Sequence, residues 1–172
     1  MLDLAYKYRG ELSTRYREIP YTEKYKFYNY HSYWSYDIAV SDSSWDNLDM
    51  VSLSPEGRVL GFFRAAIKRE TFSVHQLYII NFGEPNPIFS RDMSRFLKEL
   101  FTRHNFRKVE FSVICGNPAE KLFDKLCERY DGRIVGTKRL SILLSDGQYY
   151  DEKWYEFFGE DVKRCLNGDK QQ

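Results

Sequence analysis

Two stretches of this chain each run β-strand, Asn-Pro, amphipathic helix, and both place polar residues where a helix start could hold an anion. The first leads from Val74–Phe82 through Gly83, Asn86 and Pro87 to Ser90 and Arg91; the second leads from Val109–Cys115 through Asn117 and Pro118. Unpaired amides and the positive end of the helix macrodipole favour negative charge at such places. Each Asn has a plainer role as a helix cap, and Gly83 as a chain turn. His75 lies at the start of the first strand, and an imidazole is the side chain best poised to move protons near neutral pH. A lone His near a strand start is more often structural. Cys115, Cys127 and Cys165 match no zinc spacing, and no metal site is expected. Cys115 ends an apolar strand and Cys127 falls on an apolar helix face, so both read as small buried hydrophobes. Lys24-Tyr25-Lys26-Phe27-Tyr28, extended by Tyr16, Arg17 and His31, interleaves base and aromatic as single-strand nucleic-acid binders do. The preferred reading is an amphipathic helix lying over the sheet.

The elements that must position these residues come from one α/β domain. A chain of 172 residues can bury a sizeable core, and 26 basic against 25 acidic side chains give no field that draws nucleic acid or an anionic membrane. Aromatic residues reach 17%, which requires an aromatic core or a sticky surface. No apolar run has the length of a signal peptide or a membrane span, so a reducing cytoplasm is expected.

Leu4–Arg9 alternates loosely as an edge strand, Glu11–Arg17 reads as a short helix ending before Pro20, and Tyr25–Trp34 fits no single period. Leu48–Leu53, the turn Ser54–Gly57, Arg58–Ile67 and Val74–Phe82 predict an antiparallel meander. Phe89, Met93, Phe96, Leu97, Leu100 and Phe101 share one face of a helix that starts at Asn86-Pro87, with Ser90 and Asp92 as a competing start. Val109, Phe111 and Val113 mark a strand. Leu122, Phe123, Leu126, Cys127 and Tyr130 then mark a second helix, closed by Asp131-Gly132. Leu140–Leu144 and Gln148–Phe158 pair through Asp146-Gly147. Consecutive strand-helix-strand units require parallel neighbours, and ligands in such sheets sit at the carboxyl ends of the strands.

That order, with Gly116-Asn117-Pro118-Ala119-Glu120-Lys121-Leu122-Phe123 and the hairpin Asp146-Gly147-Gln148-Tyr149-Tyr150-Asp151, resembles the GNAT superfamily of acyl-CoA-dependent N-acyltransferases, in particular uncharacterised phage-borne members. The resemblance runs from about Leu48 to Phe158. It implies a mixed, mainly antiparallel sheet with a splayed parallel pair, flanked by helices. It also implies an N-acetyltransferase that moves acetyl from acetyl-CoA to an amine of a small molecule or protein; a catalytically inactive binding module that engages a protein partner is the alternative. The pantetheine arm would lie between Leu77–Asn81 and Val109–Cys115, touching Ile79, Asn81 and Asn117. A backbone N–H near Ile79 would hold the oxyanion. The pyrophosphate would meet Gly83–Arg91, with Ser90 and Arg91 in direct contact, and His75 would be the base. Two departures stand out. Ile88–Met93 occupies the place of the family's glycine-rich phosphate loop, and Phe123 stands where members carry a proton-donating Tyr. The expected organisation is a single domain over 1–166, with a helical acceptor-side region over 1–47, a donor-binding core over 48–158 and a frayed tail over 167–172; a homodimer is compatible with it.

Overall fold

A computed structural model describes residues 1–19, 23–31, 38–42 and 45–168. Pro20, Tyr33, Trp34 and tail residues 169–172, all invoked above, lie outside the described residues. Strands β1 (Leu2–Leu4), β2 (Asn47–Leu53), β3 (Val59–Lys68), β4 (Ser73–Asn81), β5 (Lys108–Ile114), β6 (Arg133–Leu143) and β7 (Tyr149–Phe158) form one sheet in the order β1-β2-β3-β4-β5-β7-β6. Every neighbouring pair is antiparallel except β4–β5. Helices α1 (Arg9–Glu18), α2 (Pro87–Thr102), α3 (Glu120–Tyr130) and α4 (Gly159–Gly168) and a 3₁₀ segment (Glu23–His31) flank it. The expected mixed, mainly antiparallel sheet with one parallel pair is therefore what the chain forms.

Local chemistry explains where the elements start and stop. Asn86 caps α2, its Oδ1 accepting the Ile88 N–H at 2.8 Å, and Pro87 takes the first helical position. The competing start at Ser90 is not used; Asp92 is instead buried and accepts the Ser52 hydroxyl at 2.8 Å. The expected strand at Leu4–Arg9 ends at Leu4. Asp3 there accepts both Lys7 Nζ (2.7 Å) and the Tyr8 hydroxyl (3.0 Å), which winds Ala5–Tyr8 into a 3₁₀ turn. α3 begins at Glu120, after a turn in which Asn117 Oδ1 accepts the Ala119 N–H at 2.9 Å. α4 is an element that the sequence pattern did not announce, and it includes Asn167 and Gly168, expected as frayed tail.

Many of the aromatic residues build the core, although Tyr6, Trp45, Phe72, Tyr149 and Phe158 are exposed. Phe63 stacks between Phe89 (5.1 Å) and Phe96 (5.3 Å), and Phe111 meets Phe123 edge-on at 4.7 Å. This cluster lies between the sheet and α2, α3 and α4. A second cluster on the opposite face packs Leu12, Ile19 and Tyr25 of the amino-terminal region on Phe62, Ile80 and Phe82.

Gly61 on β3 packs tightly against Phe89 of α2. A Cβ there would lie 2.2 Å from the Phe89 ring and 2.5 Å from the Ile80 carbonyl oxygen, whereas one at Gly136 would meet nothing within 4 Å. Gly61→Ala is expected to destabilise the protein by about 1–3 kcal/mol in urea unfolding, and Gly136→Ala by much less. Equal effects would contradict the close approach.

Candidate functional site

The parallel pair β4–β5 is joined only at Ser73–Lys108 and Val74–Val109. On its other edge β4 stays paired with β3 from Ser73 to Asn81, but one extra β4 residue sits between Val74, opposite Ile67, and Gln76, opposite Ala66. That residue is His75. A single inserted residue makes a bulge that bends a strand and raises its twist, and beyond it β4 and β5 part. The Phe82 N–H reaches Leu60 O at 2.9 Å. By alternation along an antiparallel ladder, the backbone groups of Leu77, Ile79 and Asn81 face away from β3 and into the opening.

The opening is a cleft of about 500 Å³. Leu77, Ile79, Phe89, Met93, Leu122 and Phe123 wall it on the helix side, and Tyr16, Phe27, Tyr28 and Tyr78 on the amino-terminal side. Of the residues named from sequence, Ile79, Asn81, Ser90, Asn117 and Phe123 line it together. Gly83 lies in an adjoining hollow of about 250 Å³ that shares Asn81, Pro85 and Asn86 with the cleft. Arg91 and His75 line neither space; both are exposed. Gly83 donates its N–H to Asn81 Oδ1 at 3.1 Å, and a Cβ added to it would meet only that oxygen, at 4.0 Å. Packing therefore does not require glycine at this position.

At the start of α2 few amides remain for an anion. Pro87 has none, the Ile88 N–H is taken by the Asn86 cap, and Ser90 directs both its N–H (3.0 Å) and its hydroxyl (3.2 Å) to Asn86 O. Two cations stand nearby instead, because Arg15 of α1 and Arg58 of the β2–β3 turn line the hollow with Gly83. Arg15 is paired with Glu11 at 3.3 Å and Arg58 with Glu56 at 3.7 Å. Sequence reasoning missed both arginines, which lie far from the Asn-Pro segments in the chain.

It also missed a buried carboxylate. Ser112 lines the cleft, and its hydroxyl donates to Glu152 Oε1 at 2.7 Å; Trp154 Nε1 donates to the other oxygen at 3.1 Å. Glu152 is 8% exposed. Ser112 had registered only as a polar position in an alternating strand, and its partner depends on the β5–β7 register. Cys127 is buried, and that burial pushes its thiol up to about 11, in keeping with an inert packing residue. Burial likewise raises the Cys115 thiol.

The amino-terminal wall is held by a polar latch. Asp146 Oδ2 accepts the Tyr150 hydroxyl (2.6 Å) and Lys26 Nζ (3.1 Å), and the Phe27 ring meets Tyr150 edge-on at 6.2 Å. In the same wall, burial raises the Tyr28 hydroxyl, while a hydrogen bond from the Asn81 backbone opposes that shift. The Tyr150 hydroxyl, then the Gln148 amide, and then Lys26 hold the Asp146 carboxyl at about 2. A depressed carboxylate contributes above its unfolded value of 3.8 and loses that contribution as pH falls toward 2. Carboxyl-carbon NMR of the folded protein should therefore show Asp146 titrating near 2, and Lys26→Ala should move the midpoint upward. A midpoint of 3.8 in the unaltered protein would mean that the latch does not form.

No protein-family profile and no curated relative matches the sequence. Solved structures do match. A chimera of the spermidine N-acetyltransferase SpeG from Vibrio cholerae and hSSAT superposes with a TM-score of 0.63 at 19% identity, over 97% of this chain and 99% of that one. The spermidine/spermine N-acetyltransferase SpeG from Vibrio cholerae, in complex with manganese ions, gives 0.59 at 17% identity over 70% of each chain. These structures carry no support for a phage-borne branch. At such identities the likeness is one of architecture: the chain has the GNAT fold of these N-acetyltransferases.

Proposed function

We propose that this protein is an N-acetyltransferase that moves an acetyl group from acetyl-CoA to an amine of a small molecule or a protein. The observation that carries the reading is the open edge of β4. Once the ladder stops at Val74–Val109, the backbone groups of Leu77, Ile79 and Asn81 face a cleft of about 500 Å³. A thin tail bearing amides fits such an edge as an added strand would. Acetyl-CoA supplies a thioester whose carbonyl carbon an amine can attack.

Each side chain then has a stated task. Ile79 and Asn81 offer backbone groups to the tail, and the Ile79 N–H stabilises negative charge growing on the carbonyl oxygen. Asn117 closes the cleft from the β5 side. Gly83 and Ser90 border the phosphate end, where Arg58 and Arg15 supply positive charge at close range and Arg91 adds only its field. Phe123 packs the wall. The attacking amine must lose a proton, and Ser112 backed by buried Glu152 is placed to take it; His75, at the bulge, is the alternative acceptor. The acceptor wall is Tyr16, Phe27, Tyr28 and Tyr78. Among the described residues no helix is long and apolar enough to cross a membrane, and the three cysteines are free; a reducing cytoplasm is the setting that we propose.

A second reading, a non-catalytic module that keeps the cleft for recognition of a protein partner, draws on two observations. The amides at the phosphate end are largely taken, and Phe123 carries no proton to donate.

Calorimetry with CoA and acetyl-CoA separates the readings. Saturable binding is expected, weakened about two- to fivefold by Arg58→Ala or Arg15→Ala. With an amine acceptor, Glu152→Gln should lower kcat by about 10²-fold with little change in KM. The same loss in His75→Ala, with Glu152→Gln unaffected, would move the base to His75. Absence of binding at millimolar CoA would sink the enzyme reading.

A further inference from the structure

Behind the cleft lies a second cavity, of about 330 Å³, that nothing in the reading above requires. Its floor is Val109 and Phe111 of β5 and Phe157 of β7. Its roof is Leu97 and Phe101 of α2, Leu126 of α3 and Val162 of α4. Polar groups occur only among Ser94, Lys98, Arg129 and Tyr130. The space opens to solvent past the exposed Ser94, Lys98 and Arg129, so it is an apolar groove beneath the helices, of a size that suits a ligand.

Its position makes it informative. The cavity and the cleft adjoin, and Leu77, Met93 and Leu122 border both. Leu77 follows the His75 bulge and is the first cleft-facing residue of the open edge beyond the last parallel pair, Val74–Val109. A donor lying along β4 with its phosphates at Gly83 places its acyl end at that closed corner. Whatever extends beyond the thioester carbonyl there meets the shared wall of Leu77 and Met93, with the apolar chamber behind it.

We propose that this chamber receives the acyl chain of a donor longer than acetyl, so that the preferred co-substrate is a medium-chain acyl-CoA. At about 30 Å³ for a water-sized group, the chamber has room for roughly ten methylenes. The inference rests on the donor reading above and deepens it. No reactant is added. The thioester C–S bond breaks, a C–N bond forms, the amine proton goes to the base, and the thiol leaves with CoA whatever the chain length.

The test is a calorimetric series of CoA, acetyl-, butyryl-, hexanoyl-, octanoyl- and decanoyl-CoA, each below its micelle concentration, against the full chain. Affinity is expected to rise about fourfold per methylene, from butyryl onward until the chamber is filled. Leu97→Phe and Leu126→Phe narrow the chamber without lining the cleft. Each should cut octanoyl-CoA affinity at least tenfold and leave acetyl-CoA unchanged, with melting curves showing that the variants fold. The chain-length series on the unaltered protein stands even if neither variant folds. Equal affinity for acetyl- and octanoyl-CoA would overturn the chamber and leave the donor reading intact; no binding of any thioester or of CoA would overturn both. Octanoyl-CoA binding that both folded variants retain in full would place the chain elsewhere and also reject the proposal.

Discussion

One inserted residue shapes the site. β4 keeps its ladder with β3 along its whole length, yet His75 has no opposite number there, and on the other edge the parallel pairing ends at Val74. The closed end is pinned from both sides, the Arg107 N–H to Phe72 O at 3.0 Å and the Gly159 N–H to Arg107 O at 2.8 Å, so the strands cannot simply drift apart. A buried backbone group without a partner costs about 1–3 kcal/mol. The groups of Leu77 and Ile79 are therefore tolerable only where water or a ligand reaches them, whereas the Asn81 backbone already meets the Tyr28 hydroxyl. An amide-bearing ligand exchanges water for direct bonds at this edge with little net loss. The apolar walls on either side then contribute by burial. In this sense the opening has the form of a missing strand.

Much of this was legible in the chain. The alternation of Val109, Phe111 and Val113, the apolar stripes of α2 and α3, and the Asn86-Pro87 cap all carry periodic or positional signals strong enough to place strands, helices and one helix start. The bulge carries none, because His75 alternates with its neighbours as any exposed strand residue would. α4 carries a short one. Its apolar residues Val162, Cys165 and Leu166 do stand at helical spacing, but the stripe spans little more than one turn, and its start depends on Gly159 fitting against the Phe106 carbonyl, where a Cβ would sit 2.7 Å away. Arg15, Arg58 and the Ser112–Glu152 pair escaped for a related reason. Each acquires meaning only when segments distant in the chain are brought together.

The phosphate end illustrates a substitution of one kind of electrostatics for another. A glycine-rich loop presents oriented N–H groups at short range, and their effect on an anion is little screened. Here the Gly83 and Ile88 amides are committed to Asn81 and Asn86, and two guanidinium groups stand in the adjoining hollow. Arg58 is largely exposed, and salt screens such a charge over about 8–10 Å. Guanidinium groups tolerate more than one phosphate position and weaken with ionic strength. Under the proposed donor reading, affinity would depend more on the tail and less on the phosphates than with a glycine loop.

The departing thiol raises the matching question at the other end of the cleft. Phe123 packs against Phe111 and has no proton. The phenol next to it, Tyr155, is fully buried with its ring 6.0 Å from Phe123, and its hydroxyl donates to Asp124 at 2.9 Å. Burial and that carboxylate push its pKa upward, which makes it a weak acid turned toward Lys153 and Asp124 instead of the cleft. Tyr28 and Tyr78 line the opposite wall, and burial raises both. A thiol is a far better leaving group than an alcohol, since its pKa of about 8.5 lies close to neutrality. A thiolate leaving a wet cleft can take its proton from solvent. Phe123 therefore supplies the aromatic packing that seats α3 on the sheet, and in the transfer proposed above the proton would come from water in the cleft between β4 and β5.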